Sequence, residues 1–98
     1  MKCNPYYPFF RNLANPLRIK IISELKKKEC SVNELVEKLD VEQSKLSHAL
    51  ASLKKCKIVN SKEKGKQRIY SLNKKTILPM LKLIDNHAKS FCGRKCCR

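Results

Sequence analysis

Two sets of residues in this 98-residue chain have the types and spacing to do chemistry. The first is FCGRKCCR at 91–98, where Cys92, Cys96 and Cys97 can bring three thiolates to one point. Thiolates suit soft ions such as zinc, copper(I) or a trivalent arsenic-like ion. A structural zinc needs four ligands, so His87 or Cys3 would have to complete the set. Lys89, Arg94, Lys95 and Arg98 surround the thiols with positive charge, which favours thiolate. The spacing C-x3-C-C is not a common zinc signature. Three readings therefore stand side by side: a loose basic end, a disulfide within or between subunits, and a thiolate-bound soft metal or thiol sensor. The second set is Gln43, Ser44, Ser47 and His48. These side chains match base edges: Gln pairs with adenine, Ser with purines or phosphate, and His with guanine or phosphate. Lys45, Lys54 and Lys55 beside them suit phosphates. The plainer account of this second set is a solvated helix start.

Net charge favours the base-reading account. Lys and Arg number 23 against 8 Asp and Glu, a formal charge of +15, and the sequence pI is about 9.9. Such a surplus points to a polyanion, and nucleic acid is the default partner, ahead of an anionic membrane surface or a generic basic surface; with the helix-turn-helix described below, the expected partner is double-stranded DNA. No stretch approaches the roughly 18 apolar residues of a membrane span, and MKCNPYYPFF has no apolar run of a secretory signal. The expected location is the cytoplasm, where cysteines serve as thiols, metal ligands or redox sites more than as staples. An enzyme is not expected: there is no phosphate loop, no Ser/His/Asp set and no paired carboxylates, and the chain has 2 His and 2 Gly.

The elements that must position these side chains follow from local patterns. The length fits a single domain over residues 1–98, with an N-terminal arm at 1–8 and a Cys-rich basic tail at 92–98. A short helix is expected around Phe9–Ala14. NPLRIKIISELKKK then opens a helix with Asn15 as N-cap, Pro16 at the first helical position, and Leu17, Ile21, Ile22 and Leu25 as its buried stripe. SVNELVEKL carries a Ser31/Glu34 capping box and an apolar stripe of Val32, Leu35, Val36 and Leu39. After the turn DVEQ, a third helix puts Leu46, Leu50 and Leu53 inward with Ala49, leaving the base-reading set outside. The period then changes to two: KIVNSK and QRIYSL form a basic hairpin turning at EKGK. Lys62, Lys64, Lys66 and Arg68 of this hairpin suit the neighbouring minor groove. A last helix begins at Asn73 or Thr76, tolerates Pro79 in its first turns, and is closed by Gly93. Ile77, Leu81, Ile84, Ala88 and Phe91 form its main stripe, with Leu78, Met80 and Leu83 apolar besides. That is more apolar surface than one small domain should expose, and it implies a helix shared across a homodimer interface. Cys30 and Cys56 read as small buried hydrophobes.

The fold class is therefore mainly α with a small β-hairpin: a winged helix-turn-helix in helices-hairpin-helix order, dimeric. At this point a family resemblance enters. LANPLRIKII (13–22) resembles the L-A-[DN]-P-x-R-x-x-I-L opening of the ArsR-type (arsenic-repressor-like) winged-helix repressors. VEQSKLSHALASL (41–53) resembles their L-S-Q-S-x-V-S-x-H-L-x-x-L recognition element, and IVNSKEKGKQRIYSL (58–72) their L-V-x-x-x-R-x-G-R-x-x-Y-Y-x-L wing. The likeness runs over residues 9–90. It implies a symmetric dimer formed by the N-terminal region and the last helix, a repressor bound to an inverted repeat, and release when an effector binds; the cysteines of the tail make a metal or thiol-reactive effector the expected kind.

Three departures matter. The family usually has Gly where this chain has Lys57, and a left-handed turn there costs a non-Gly residue about 1 kcal/mol. The family's metal sensors carry Cys-Val-Cys where this chain has Ser31-Val32-Asn33. Their second metal site begins Asp-x-His, which Asp85-x-His87 matches, but its second half is absent here. Asp85 then has an equal claim as a salt-bridge partner of Lys82 or Lys89. The competing function is a winged-helix interaction module whose basic face binds a protein or RNA without reading DNA sequence.

Overall fold

The computed structural model describes residues 6–92. Helix α1 spans Tyr6–Leu13, three residues ahead of the expected start, because Pro8 falls in the first turn, where no N–H is needed. Helix α2 covers Pro16–Lys27. Asn15 Oδ1 accepts from the backbone N–H of Leu17 at 3.0 Å and of Arg18 at 3.2 Å, the cap expected from its sequence. Lys26 and Lys27 close the helix at its negative end.

A short strand that the sequence does not announce comes next. Strand β1, Cys30–Ser31, is followed at once by helix α3, Val32–Leu39. Ser31 serves both elements. Its side chain accepts from Glu34 N at 3.2 Å, while its own N–H donates to Glu34 Oε1 at 2.8 Å, completing the capping box. The box holds the Glu34 carboxyl below the usual range, chiefly through the Ser31 N–H. Helix α3 ends at Asp40, which turns left-handed at φ 54°, a conformation that Asp tolerates better than most residues. Helix α4 spans Gln43–Lys55.

Strands β2 (Val59–Lys64) and β3 (Gln67–Leu72) form the expected hairpin. Lys64 faces Gln67, so the loop has only Gly65 and Lys66 between the strands. Gly65 has φ 64°, the left-handed first position that a tight two-residue hairpin loop demands. Strand β1 adds to the free edge of β3, giving a three-stranded antiparallel sheet in the order β1-β3-β2. Helix α5 covers Ile77–His87, with Pro79 in its first turn, and a π-helical turn continues over Ala88–Cys92.

One core joins these elements. Ile21 of α2, Leu35 of α3, Leu46, Leu50 and Leu53 of α4, and Ile58 and Val59 at the base of the wing are all fully buried. Each such side chain contributes about 1.5–3 kcal/mol. Cys30 is fully buried among them, as expected, and burial pushes its thiol above the ordinary range, with Lys38 opposing. Cys56 departs from expectation. It is exposed at the C-cap of α4, because the helix turns its last apolar contact inward at Leu53 and leaves the cap on the surface.

Helix α5 splits its apolar residues differently from the expected stripe. Ile77 is buried in the protomer's own core, so it is not free to meet a second copy, and Leu78, Met80 and Leu81 also pack on that core. Leu83, Ile84 and Phe91 are the exposed ones, and Tyr6, Tyr7 and Phe10 of α1 are exposed likewise. Asp85 pairs with neither Lys82 nor Lys89 but with Lys26 of α2, at 2.5 Å.

Candidate nucleic-acid interface

Helix α4 is two-faced by construction. Leu46, Ala49, Leu50 and Leu53 recur at helical spacing and are buried. Gln43, Ser44, Lys45, Ser47 and His48 lie between them on the exposed side of the first two turns. Lys54 and Lys55 are exposed at the other end. The helix stops in a tight hydrogen-bonded cap. Lys57 turns left-handed at φ 63°, and its N–H donates to Lys54 O at 3.0 Å. Ile58 N–H reaches back to Leu53 O at 2.9 Å, with both of those side chains buried. This is the strained position that the family pattern fills with Gly. Asn73 Nδ2 donates to Lys57 O at 2.9 Å, which ties the turn to the far end of β3.

The wing carries both signs of charge. Arg68 lies 3.2 Å from Glu63, its cross-strand partner, and Lys62 lies 3.9 Å from Glu29. Exposed pairs of this kind are worth 0–1 kcal/mol, so a phosphate can displace either carboxylate at small cost. Among the described residues, Lys45, Lys54, Lys55, Lys64 and Lys66 make no ion pair.

Two clefts flank α4. One, of about 450 Å³, lies between the start of α2 and the first turns of α4, lined by Arg18, Ser44, Lys45 and His48 among others. The other, of about 400 Å³, lies between α1 and the second half of α4, lined by Arg11, Arg18, Ser52, Lys55 and Cys56 among others. A buried polar knot separates them. Asn12 of α1 donates through Nδ2 to Ser52 O at 3.1 Å and to Cys56 Sγ at 2.9 Å. Its Oδ1 accepts from Ser52 Oγ at 3.1 Å and from Arg18 Nη1, which also donates to Asn12 O at 3.3 Å. The sequence does not single out Asn12, and it marks Arg18 only as the Arg of the family's L-A-[DN]-P-x-R opening; the folded chain joins the two by bringing α1 against α2 and α4.

The metal-directed expectations fare differently. Asp85 is occupied by Lys26, and the His87 ring packs at a 35° tilt against Phe91 with centroids 4.9 Å apart. Cys96, Cys97 and Cys3 lie outside the described residues, as does the side chain of Cys92. Among the described residues, no three His, Cys, Asp or Glu side chains converge on one point.

Residues 15–61, from the cap of α2 into the first wing strand, match the family described as bacterial regulatory protein, arsR family. The chain is also 34% identical over 86 residues to the HTH-type transcriptional regulator Rv0081 of Mycobacterium tuberculosis, spanning 83% of this chain and 75% of the relative. This chain belongs to the arsR family. The crystal structure of that relative superposes with a TM-score of 0.77 at 31% identity, covering 86% of this chain and 89% of the other. HlyU of Vibrio cholerae gives 0.76 at 28% identity, over 95% and 100% of the two chains. As an arsR-family winged helix-turn-helix protein, the chain is a DNA-binding transcriptional regulator. No helix among the described residues is long and apolar enough to cross a membrane.

Proposed function

We propose that this arsR-family protein is a sequence-specific repressor that reads an inverted repeat as a homodimer, with α4 in the major groove. The observation that carries the reading is the outer face of α4. Gln43, Ser44, Ser47 and His48 stand exposed on a helix whose opposite face is locked into the core, with unpaired lysines at both ends. Gln43 and Ser47 take the base edges, with Ser44 and His48 on bases or the adjoining backbone. Lys45, Lys54 and Lys55 hold phosphates, and Lys62, Lys64, Lys66 and Arg68 of the wing reach the neighbouring minor groove. The exposed residues Tyr6, Tyr7 and Phe10 of α1 and Leu83, Ile84 and Phe91 of α5 support a paired molecule. Pairing would set two copies of α4 about one DNA turn, or 34 Å, apart. For release, the sequence offers Cys92, Cys96 and Cys97 as a site for a soft ion or thiol reagent close behind α5.

Fluorescence anisotropy on mixed-sequence and on selection-enriched duplexes tests the reading. The wild type binds both, with log K falling by about 0.9 per neutralised phosphate for each unit of log salt. Gln43→Ala and Ser47→Ala each reduce the preference for the enriched sequence by about 1–3 kcal/mol while leaving mixed-sequence binding in place. Absence of binding at low salt sinks the proposal. Intact binding to a protein or RNA partner, with no DNA sequence preference to lose, gives the site to an interaction module instead.

A further inference from the structure

We propose that Arg18, on α2, is a preset anchor for a DNA phosphate beside the recognition helix. The inference rests on the reading that α4 carries the DNA-binding face, and it adds a contact from a different helix.

Three observations carry it. First, Arg18 is half-buried yet forms no ion pair among the described residues. Withdrawing a guanidinium from water without a carboxylate partner is unfavourable, and an anion arriving from outside relieves that cost. Second, the side chain is already held. Nη1 is committed to Asn12, and Asn12 is only 7% exposed and is tied in turn to Ser52 and Cys56 of α4. The guanidinium therefore moves with the recognition helix, and little rotamer freedom remains to be lost on binding. Of the five N–H donors of an arginine, those of Nη2 and Nε remain for a forked grip on phosphate oxygens. Third, Arg18 lines both clefts that flank α4, and no carboxylate lines either. Ser44, Lys45 and His48 share the first of these with it, so one anion there touches α2 and the base-reading turn of α4 together.

The end of helix α2 does not supply this charge. Asn15 Oδ1 already accepts the N–H groups of Leu17 and Arg18, so the cleft is cationic through its side chains. A strand of B-DNA lying along a groove that holds α4 offers a phosphate at such an edge, and the forked guanidinium fits it better than a lysine would.

The test compares wild type with Arg18→Gln, which can still donate to Asn12, and with Lys20→Gln. Lys20 lies on the same helix about 200° away and lines neither cleft. Binding to a mixed-sequence duplex is measured across a salt series. For Arg18→Gln the slope of log K against log salt becomes shallower by about 0.9 per bound protomer, and affinity at low salt falls about tenfold. Lys20→Gln stays within twofold of wild type. An Arg18→Gln slope equal to that of wild type, or changes matched by Lys20→Gln, overturns the anchor while leaving the recognition helix in place. A wild type that binds no duplex overturns the reading beneath it and the anchor with it. Phenylglyoxal modification of the wild type, mapped by mass spectrometry, covers the case of a Gln variant that does not fold. Arg18 is protected by duplex if it is the anchor, and equal modification with and without duplex refutes it.

Discussion

Two regions of the molecule treat their apolar residues in opposite ways. On α4 every large apolar side chain is buried, and apart from Ala51 what remains outside is polar or cationic. On α1 and α5, Tyr6, Tyr7, Phe10, Leu83, Ile84 and Phe91 are more than half exposed. The first region is complete as a monomer and keeps a charged surface. The second holds a surface that water solvates poorly and that a second copy would cover. A fold can thus be finished on the face proposed to read DNA and unfinished on the face proposed to pair, because different side chains line the two.

Five substitutions break or sharpen that contrast. Leu50→Ala in the finished region opens a cavity in a fully buried site and lowers stability by about 2–5 kcal/mol, read by denaturant melts. Ser31→Ala removes the oxygen that caps α3 and costs about 1 kcal/mol. The same box has a pH signature. The folded pKa of Glu34 lies below its unfolded value, so its contribution is present above the ordinary carboxylate range and is lost as pH falls through the folded value. Glu34→Gln flattens that acid limb in melts run down the pH scale. Lys57→Gly relieves the left-handed strain after α4 and gains up to about 1 kcal/mol, less the entropy of a freer unfolded chain. Ile84→Asp in the unfinished region changes the melting of the isolated protomer by about 0.5 kcal/mol or less. It shifts the sedimentation coefficient toward monomer in analytical ultracentrifugation; a sedimentation profile identical to wild type removes Ile84 from the pairing surface.

What was legible in the sequence was what neighbours in the chain decide. Asn15-Pro16 and Ser31…Glu34 write their caps within four residues, and the spacing of Leu46, Leu50 and Leu53 shows the inner face of α4 and so its outer face. The wing was legible from its period and its glycine, and the left-handed Lys57 from the family pattern. Contacts between distant segments were not. Lys26 takes Asp85 from across the fold, where the sequence suggested partners on the same helix. Ile77 looked like one more member of a stripe shared with a second copy, yet it is buried in the protomer's own core. Cys56 stands between Lys55 and Lys57 in sequence, and the cap geometry leaves it outside, where Asn12 of α1 donates to its Sγ. Arg18 was legible as the Arg of the L-A-[DN]-P-x-R opening, but its tie to Asn12 and its place on two clefts come only with the fold.

Strand β1 is only two residues long, yet it governs how the molecule assembles. Its partners Ile69 and Tyr70 lie far along the chain, and Ser31 cannot pair with Ile69 without also starting α3. Closing that loop costs chain entropy before any contact offsets it. The wing and the helix-turn-helix should therefore cross the folding barrier together, with β1–β3 pairing as a late, nonlocal step that slows the reaction. Once formed, the base of the wing is held by β1 at Ile69 and Tyr70, while the exposed tip beyond it is free to fray. Amides at the base should exchange hydrogen at the rate set by opening of the whole domain, and those of the tip by local excursions of the hairpin.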